Sequence, residues 1–251
     1  MSLFKSGNPT LSENKFRDTV INIGTNENAM TLSGTLNKFG FLFLMLMGTA
    51  FYSWKEVAEN GANVMTMVAG GAIGGFVIAL VLMFKREWSP YLAPLYALLE
   101  GLFIGAISAM FNLAYDGIVL QAVGLTFGVG ISMYFLYTLR IIRATEKFRA
   151  VVMTATMGIA VFYLIVWVMS LFGYNNMSFI HEGSTFGIVF SLVVVVIAAL
   201  NLILDFDMIE QGAANGAPKY MEWYGAFGLM VTFVWLYLEI LRLLSKISSR
   251  N

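Results

Sequence analysis

Seven apolar runs, each long enough to cross a bilayer as a helix, constrain this chain more than any other feature. A helix crossing the hydrocarbon layer takes about 20 mainly apolar residues. Such runs lie at Lys38–Trp54, Val64–Phe84, Tyr91–Phe111, Ile118–Tyr137, Val151–Phe172, Phe186–Ile209 and Tyr224–Leu244. They are too long and too uniformly apolar for the roughly ten-residue alternating strands of a membrane barrel. The expectation is an all-α polytopic membrane protein: a polar N-terminal tail, residues 1–37, followed by a seven-helix transmembrane bundle in a lipid bilayer, residues 38–251.

Composition removes most alternatives. The 251 residues are 59% hydrophobic and 12% charged, against roughly a quarter charged in soluble domains. Fifteen basic and fifteen acidic residues cancel, leaving no basic field for nucleic acid. Cysteine is absent, which removes disulfides, thiol catalysis and cysteine metal sites. No His-Glu-x-x-His, Gly-x-Ser-x-Gly or Gly-Lys-Ser/Thr phosphate loop occurs, so neither a metalloprotease, a serine hydrolase nor a nucleotide enzyme is indicated. The sole histidine, His181, stands beside Glu182 in a short connection and reads as solvated. A retinal-type Schiff base needs a lysine within the seventh run, and Lys246 reads as lying beyond it. The expectation is a non-enzyme with no resident metal or cofactor.

Residues 1–37 are polar, rich in Asn, Ser and Thr, and lack the apolar core of a secretory signal. They read as a cytoplasmic tail or, more sharply, as a docking arm. With the N-terminus inside, Lys5, Lys15, Arg17, Lys38, Lys85, Arg86, Arg140, Arg143, Lys147, Arg149 and Lys219 all fall inside, as the positive-inside rule requires. Lys55, Arg242, Lys246 and Arg250 fall outside. A basic C-terminus outside breaks the rule, so the last helix either violates it or fails to cross fully. The compartment expected is a bacterial inner membrane.

Glycines at Gly70, Gly71, Gly74 and Gly75, at Gly101 and Gly105, and at Gly124 and Gly128 have the four-residue spacing that lets membrane helices approach closely. Ionisable groups inside apolar runs are costly and by default mark function. Glu100 lies midway along the third run, about 14 Å in at 1.5 Å per residue, with no local partner; an ionised carboxylate there needs a cation or water. Asp205 and Asp207 lie near the end of the sixth run, with Asn201 one turn before Asp205 on the same face. Asp207 and Glu210 read also as members of the following loop. Glu239 precedes Arg242 by three residues, a spacing open to an intrahelical pair or to a functional role.

The sixth run ending in Asp205 with Ile209 four residues later resembles the end of that helix in the Bax inhibitor-1 family, the YccA-like or transmembrane Bax-inhibitor-motif proteins. The seventh run, Ala226 to Leu244 with its Leu241-Arg242-Leu243-Leu244 close, is similar to the family's last helix. Glu100-Gly101-Leu102 falls where the family has a glycine-containing third helix. The resemblance spans about residues 36–247. It implies a pH-dependent calcium leak in which two aspartates, on the sixth and seventh helices, share protons and are linked to a basic residue at the inner end of the second helix. Asp205 matches the first aspartate, and Lys85 or Arg86 the basic position. The second falls on Thr232 or on Glu239, depending on the alignment. Measured from Tyr224, Thr232 is about 12 Å and Glu239 about 22 Å up the helix, with Asp205 about 6 Å from the inner end. Glu239 is then too far to share a proton with Asp205, which leaves Glu100 or Glu222 for a modified switch. The second helix also lacks the acidic residue that the family carries there.

Two functions follow as expectations: a pH-sensitive calcium or cation leak centred on Asp205, with calcium as transported ion, and a modulator of a membrane-bound protease, with residues 1–35 as the contact.

Overall fold

The structure is a computed structural model that describes residues 29–61, 63–172 and 184–250. Seven helices run through them: α1 (Leu32–Ala58), α2 (Val64–Phe84), α3 (Ser89–Ala114), α4 (Ile118–Thr138), α5 (Glu146–Leu171), α6 (Thr185–Ala214) and α7 (Met221–Ser248). All seven are long and apolar enough to span a membrane. A 3-10 turn at Arg86–Trp88 links α2 to α3. The expected all-α, polytopic bundle is what the chain forms.

Local sequence sets the ends. Thr31 caps α1 by accepting from the Gly34 amide at 3.0 Å, as a hydroxyl at the N-cap does. Asn63 and Thr145 cap α2 and α5 in the same way, and Pro90 opens α3, where its missing amide costs nothing. Helices α1, α3, α5, α6 and α7 run further than hydropathy suggests. Helix α1 starts at Leu32, not Lys38, and its polar first turns are covered: Thr35 is buried. Helix α6 continues from Ile209 to Ala214, and α7 from Leu244 to Ser248.

Helix α7 is the centre of the bundle, packing on α1, α3, α4 and α6, while α1 and α2 both pack on α3. The core gathers Leu42, Leu46, Leu202, Ile203, Leu229, Met230 and Leu236. Glycines let backbones meet at two of the expected places. A Cβ on Gly71 would strike the α3 backbone at Leu99 and Phe103, and Cβ atoms on Gly101 and Gly105 would strike the α1 backbone at Leu46 and Ala50. The expected packing at Gly124 and Gly128 is not formed. Both face open space, and Gly130, two residues on, receives the Phe233 ring of α7 instead.

Helix α5 is the outlier. Val152 is its one buried residue, and it touches α6 more lightly than any other helix touches its main partner. It is held by polar contacts seven residues apart: Arg149 pairs with Asp207, Thr156 accepts from Asn201 at 2.8 Å, and Tyr163 bonds Glu239 and Arg242 of α7. Seven residues make nearly two helical turns, so all three side chains share one stripe.

Candidate functional site

The N-terminal end of the bundle is tied by carboxylates. Glu222, in the first turn of α7, is fully buried. It accepts from the Thr31 amide at 2.9 Å and the Thr31 hydroxyl at 2.8 Å, and pairs with Lys38 and, at 3.0 Å, Lys219. Gly34 leaves the space its carboxyl fills. Next to it, Met30 donates its amide to the Ala217 carbonyl at 2.7 Å. At the same end Glu210 pairs with Arg140 and Asp207 with Arg149, and the Tyr137 hydroxyl bonds Glu210 and lies 3.5 Å from Asp207. These three carboxylates each have a cation, so they stitch α1, α4, α5, α6 and α7 together.

Asp205 has none. Among the described residues it forms no ion pair, and its Oδ2 is buried without a hydrogen-bond partner. The polar side chain beside it is Thr232 of α7, whose hydroxyl donates to the Gly228 carbonyl at 3.3 Å. The levels agree. Asp205 stands nine residues from the end of α6, about 14 Å, and Thr232 eleven from the start of α7, about 16 Å. Because α6 extends to Ala214, Asp205 sits deeper than the 6 Å expected from hydropathy.

Glu100 is also buried. It engages Tyr96, one turn before it on α3, and Gly75 of α2 gives it room: a Cβ there would stand 3.0 Å from its Oε2. The Tyr96 ring meets Phe227 of α7 edge to face at 4.8 Å. Helix α2 carries no acid of its own, but it lies directly against one supplied by α3.

Glu239, on the far half of α7, accepts from Arg242 at 2.8 Å, from Tyr163 at 3.1 Å and from the Trp235 indole at 3.3 Å. It is a closed structural cluster, well away from Asp205. Lys246 corrects a sequence expectation. It lies within α7, buried against α6, and donates to Ser191 Oγ at 2.7 Å and to the Gly187 carbonyl at 3.2 Å. Helix α7 is long and apolar enough to span a membrane, and within it Arg242 pairs with Glu239 while Lys246 is buried against α6.

The sequence candidates thus separate. Glu222, Asp207 and Glu210 belong to ion pairs at one end and Glu239 to one at the other, while Asp205 and Glu100 remain as carboxylates without a cation among the described residues. Arg86 lies over the Tyr224 ring at 5.4 Å, and neither Lys85 nor Arg86 forms an ion pair among the described residues. Tyr163 and the pairing of Arg149 with Asp207 escaped the sequence reading; the repeat Arg149, Thr156, Tyr163 is the signal that points to them. No cluster of three metal-ligating side chains occurs among the described residues. His181, Glu182 and tail residues 1–28 lie outside the described residues.

A seven-helix membrane bundle with solitary carboxylates buried among its helices is the class that this architecture defines. Residues 8–249 match the family described as Bax inhibitor 1 like, and the chain belongs to that family. No curated protein matches the chain in sequence.

Proposed function

We propose that this protein is a pH-responsive cation leak, with calcium as the ion, set in a bacterial plasma membrane with its N-terminus cytoplasmic, and that its switch is Asp205. One observation carries the reading: Asp205 is half-buried level with Thr232, has an enclosed and unpartnered carboxylate oxygen, and lacks the cation that Glu222, Asp207, Glu210 and Glu239 have. Protonated, it is a neutral group that α6 and α7 can close upon. Ionised, it is a charge in an apolar seam and draws in water or a cation, because an unpaired charge in a low-dielectric interior is costly. Conduction therefore rises with pH through the titration of Asp205. The Thr232 hydroxyl and Gly228 carbonyl beside it are oxygen ligands of the kind that calcium takes.

Charged groups on the helices around this pair are already engaged: Glu222 and Glu239 on α7, about 15 Å and 10 Å along the helix from Thr232, Arg149 on α5 and Lys38 on α1. The two-carboxylate arrangement implied by the family resemblance is reduced here to one carboxylate and one hydroxyl. The test is calcium flux into proteoliposomes across a pH series. Asp205→Asn should flatten the pH profile, and an unchanged profile would refute the switch.

A further inference from the structure

The half of the bundle away from the N-terminal end contains a cavity of about 300 Å³ between α1, α3, α4 and α7. That volume sits at the lower end of the roughly 300–1,000 Å³ range of ligand pockets. Its walls include Phe43, Met47, Phe51, Val123, Phe127 and Phe233. Among the described residues, no charged side chain lines it. Its hydroxyls are already used: Ser108 and Tyr237 bond each other at 2.6 Å, and Thr126 donates to the Ala122 carbonyl at 2.7 Å. An ion or polar solute would find nothing to replace its water there.

The cavity is continuous with the lipid-facing surface. Met47, Phe51 and Phe127 line it and are also 43%, 72% and 41% exposed, so the opening is lateral, between α1 and α4. Trp54 lines the end nearest the terminus of α1, at the level where tryptophan favours the interface. We propose that this cavity is a binding site for one acyl chain of a phospholipid from the leaflet at that end, the chain entering beside Trp54 and lying against α7. Apolar walls with no partner atoms forfeit their dispersion contacts, and the adjoining hydrocarbon supplies them without desolvating a polar group. The inference is independent of calcium conduction, and its test measures lipid alone.

The full chain is reconstituted in phosphatidylglycerol nanodiscs with a rising fraction of the same lipid brominated in mid-chain. In one variant Trp54 is the sole tryptophan, the other four being Phe; in a second the sole tryptophan is Trp167, which is 60% exposed on α5 and reports bulk lipid. Trp54 should be quenched several-fold more than Trp167 at low brominated fractions and should saturate. Val123→Phe, filling the cavity, should reduce the Trp54 response to that of Trp167, with Val119→Phe as the alternative filling should Val123→Phe not fold. Equal quenching of the two tryptophans, an unaltered response in the filled variant, or quenching of Trp54 by aqueous iodide in place of brominated lipid would each overturn the proposal. So would a dimer in the nanodisc that shields Trp54 from brominated lipid.

Discussion

Asp205 of α6 is faced across the helix seam by Thr232 of α7 and, among the described residues, by no second carboxylate. A lone carboxylate titrates as a single group, whereas two sharing a site titrate as a coupled pair. The proposed switch should accordingly respond to pH over the ordinary one-proton span.

Thr232→Asp tests this directly. A second carboxylate one helix seam away should broaden the pH dependence of calcium flux, because like charges repel when both are ionised and the second proton is then lost only at higher pH. Flux measured in proteoliposomes over a pH series should show a shallower transition than wild type, extended toward higher pH. An unchanged slope would mean that the two positions do not act on one another.

Glu222→Gln should loosen the N-terminal end. It leaves Lys38 and Lys219 without their anion and weakens two bonds from Thr31. Hydrogen bonds to a charged partner contribute roughly 1.5–3 kcal/mol, so a cost of about 2 kcal/mol is expected. Thermal unfolding in detergent should show a lowered Tm, while the pH response of flux should keep its midpoint, because Glu222 does not face Asp205.

The α5 stripe predicts small, cumulative losses. Interhelical hydrogen bonds in membrane proteins average about 0.6 kcal/mol. Thr156→Val or Tyr163→Phe alone should barely shift Tm. Combined with Arg149→Met they should free the helix, read as a broadened distance distribution between spin labels on α5 and α6. Single changes that already detach α5 would contradict the ladder.

Glycines discriminate between packed and open faces. Gly105→Val drives side-chain atoms into the Ala50 backbone and should prevent folding or lower Tm steeply. Gly124→Val meets nothing within 4 Å and should leave Tm within a degree or two of wild type, since surface changes away from special features usually stay within about 0.5 kcal/mol.

Hydropathy located every helix, and it placed α2 with no shift because Asn63 and Lys85 bound an all-apolar run. It shortened α6 and α7 for a physical reason. Asp207, Glu210 and Lys246 look like loop residues until Arg149, Arg140 and Ser191 are known to satisfy them, and those partners lie far off in sequence. The same shortening misjudged the depth of Asp205. Glu239 with Arg242 was legible from spacing alone, since three residues on a helix place side chains together. Glu222 was read by depth as a neighbour of Asp205, and only the fold reveals Lys38 and Thr31 already around it.

The stripe on α5 has one more consequence. Its rungs are bonds that water can make equally well, and they begin at Arg149, at the charged end of the bundle, which is the end solvent reaches first. Wetting that seam would replace each rung with hydration and release the next, so α5 is fastened by an adhesive that dissolves from one side. The remaining six helices, locked by glycine contacts and apolar core, would keep their shape as it lets go.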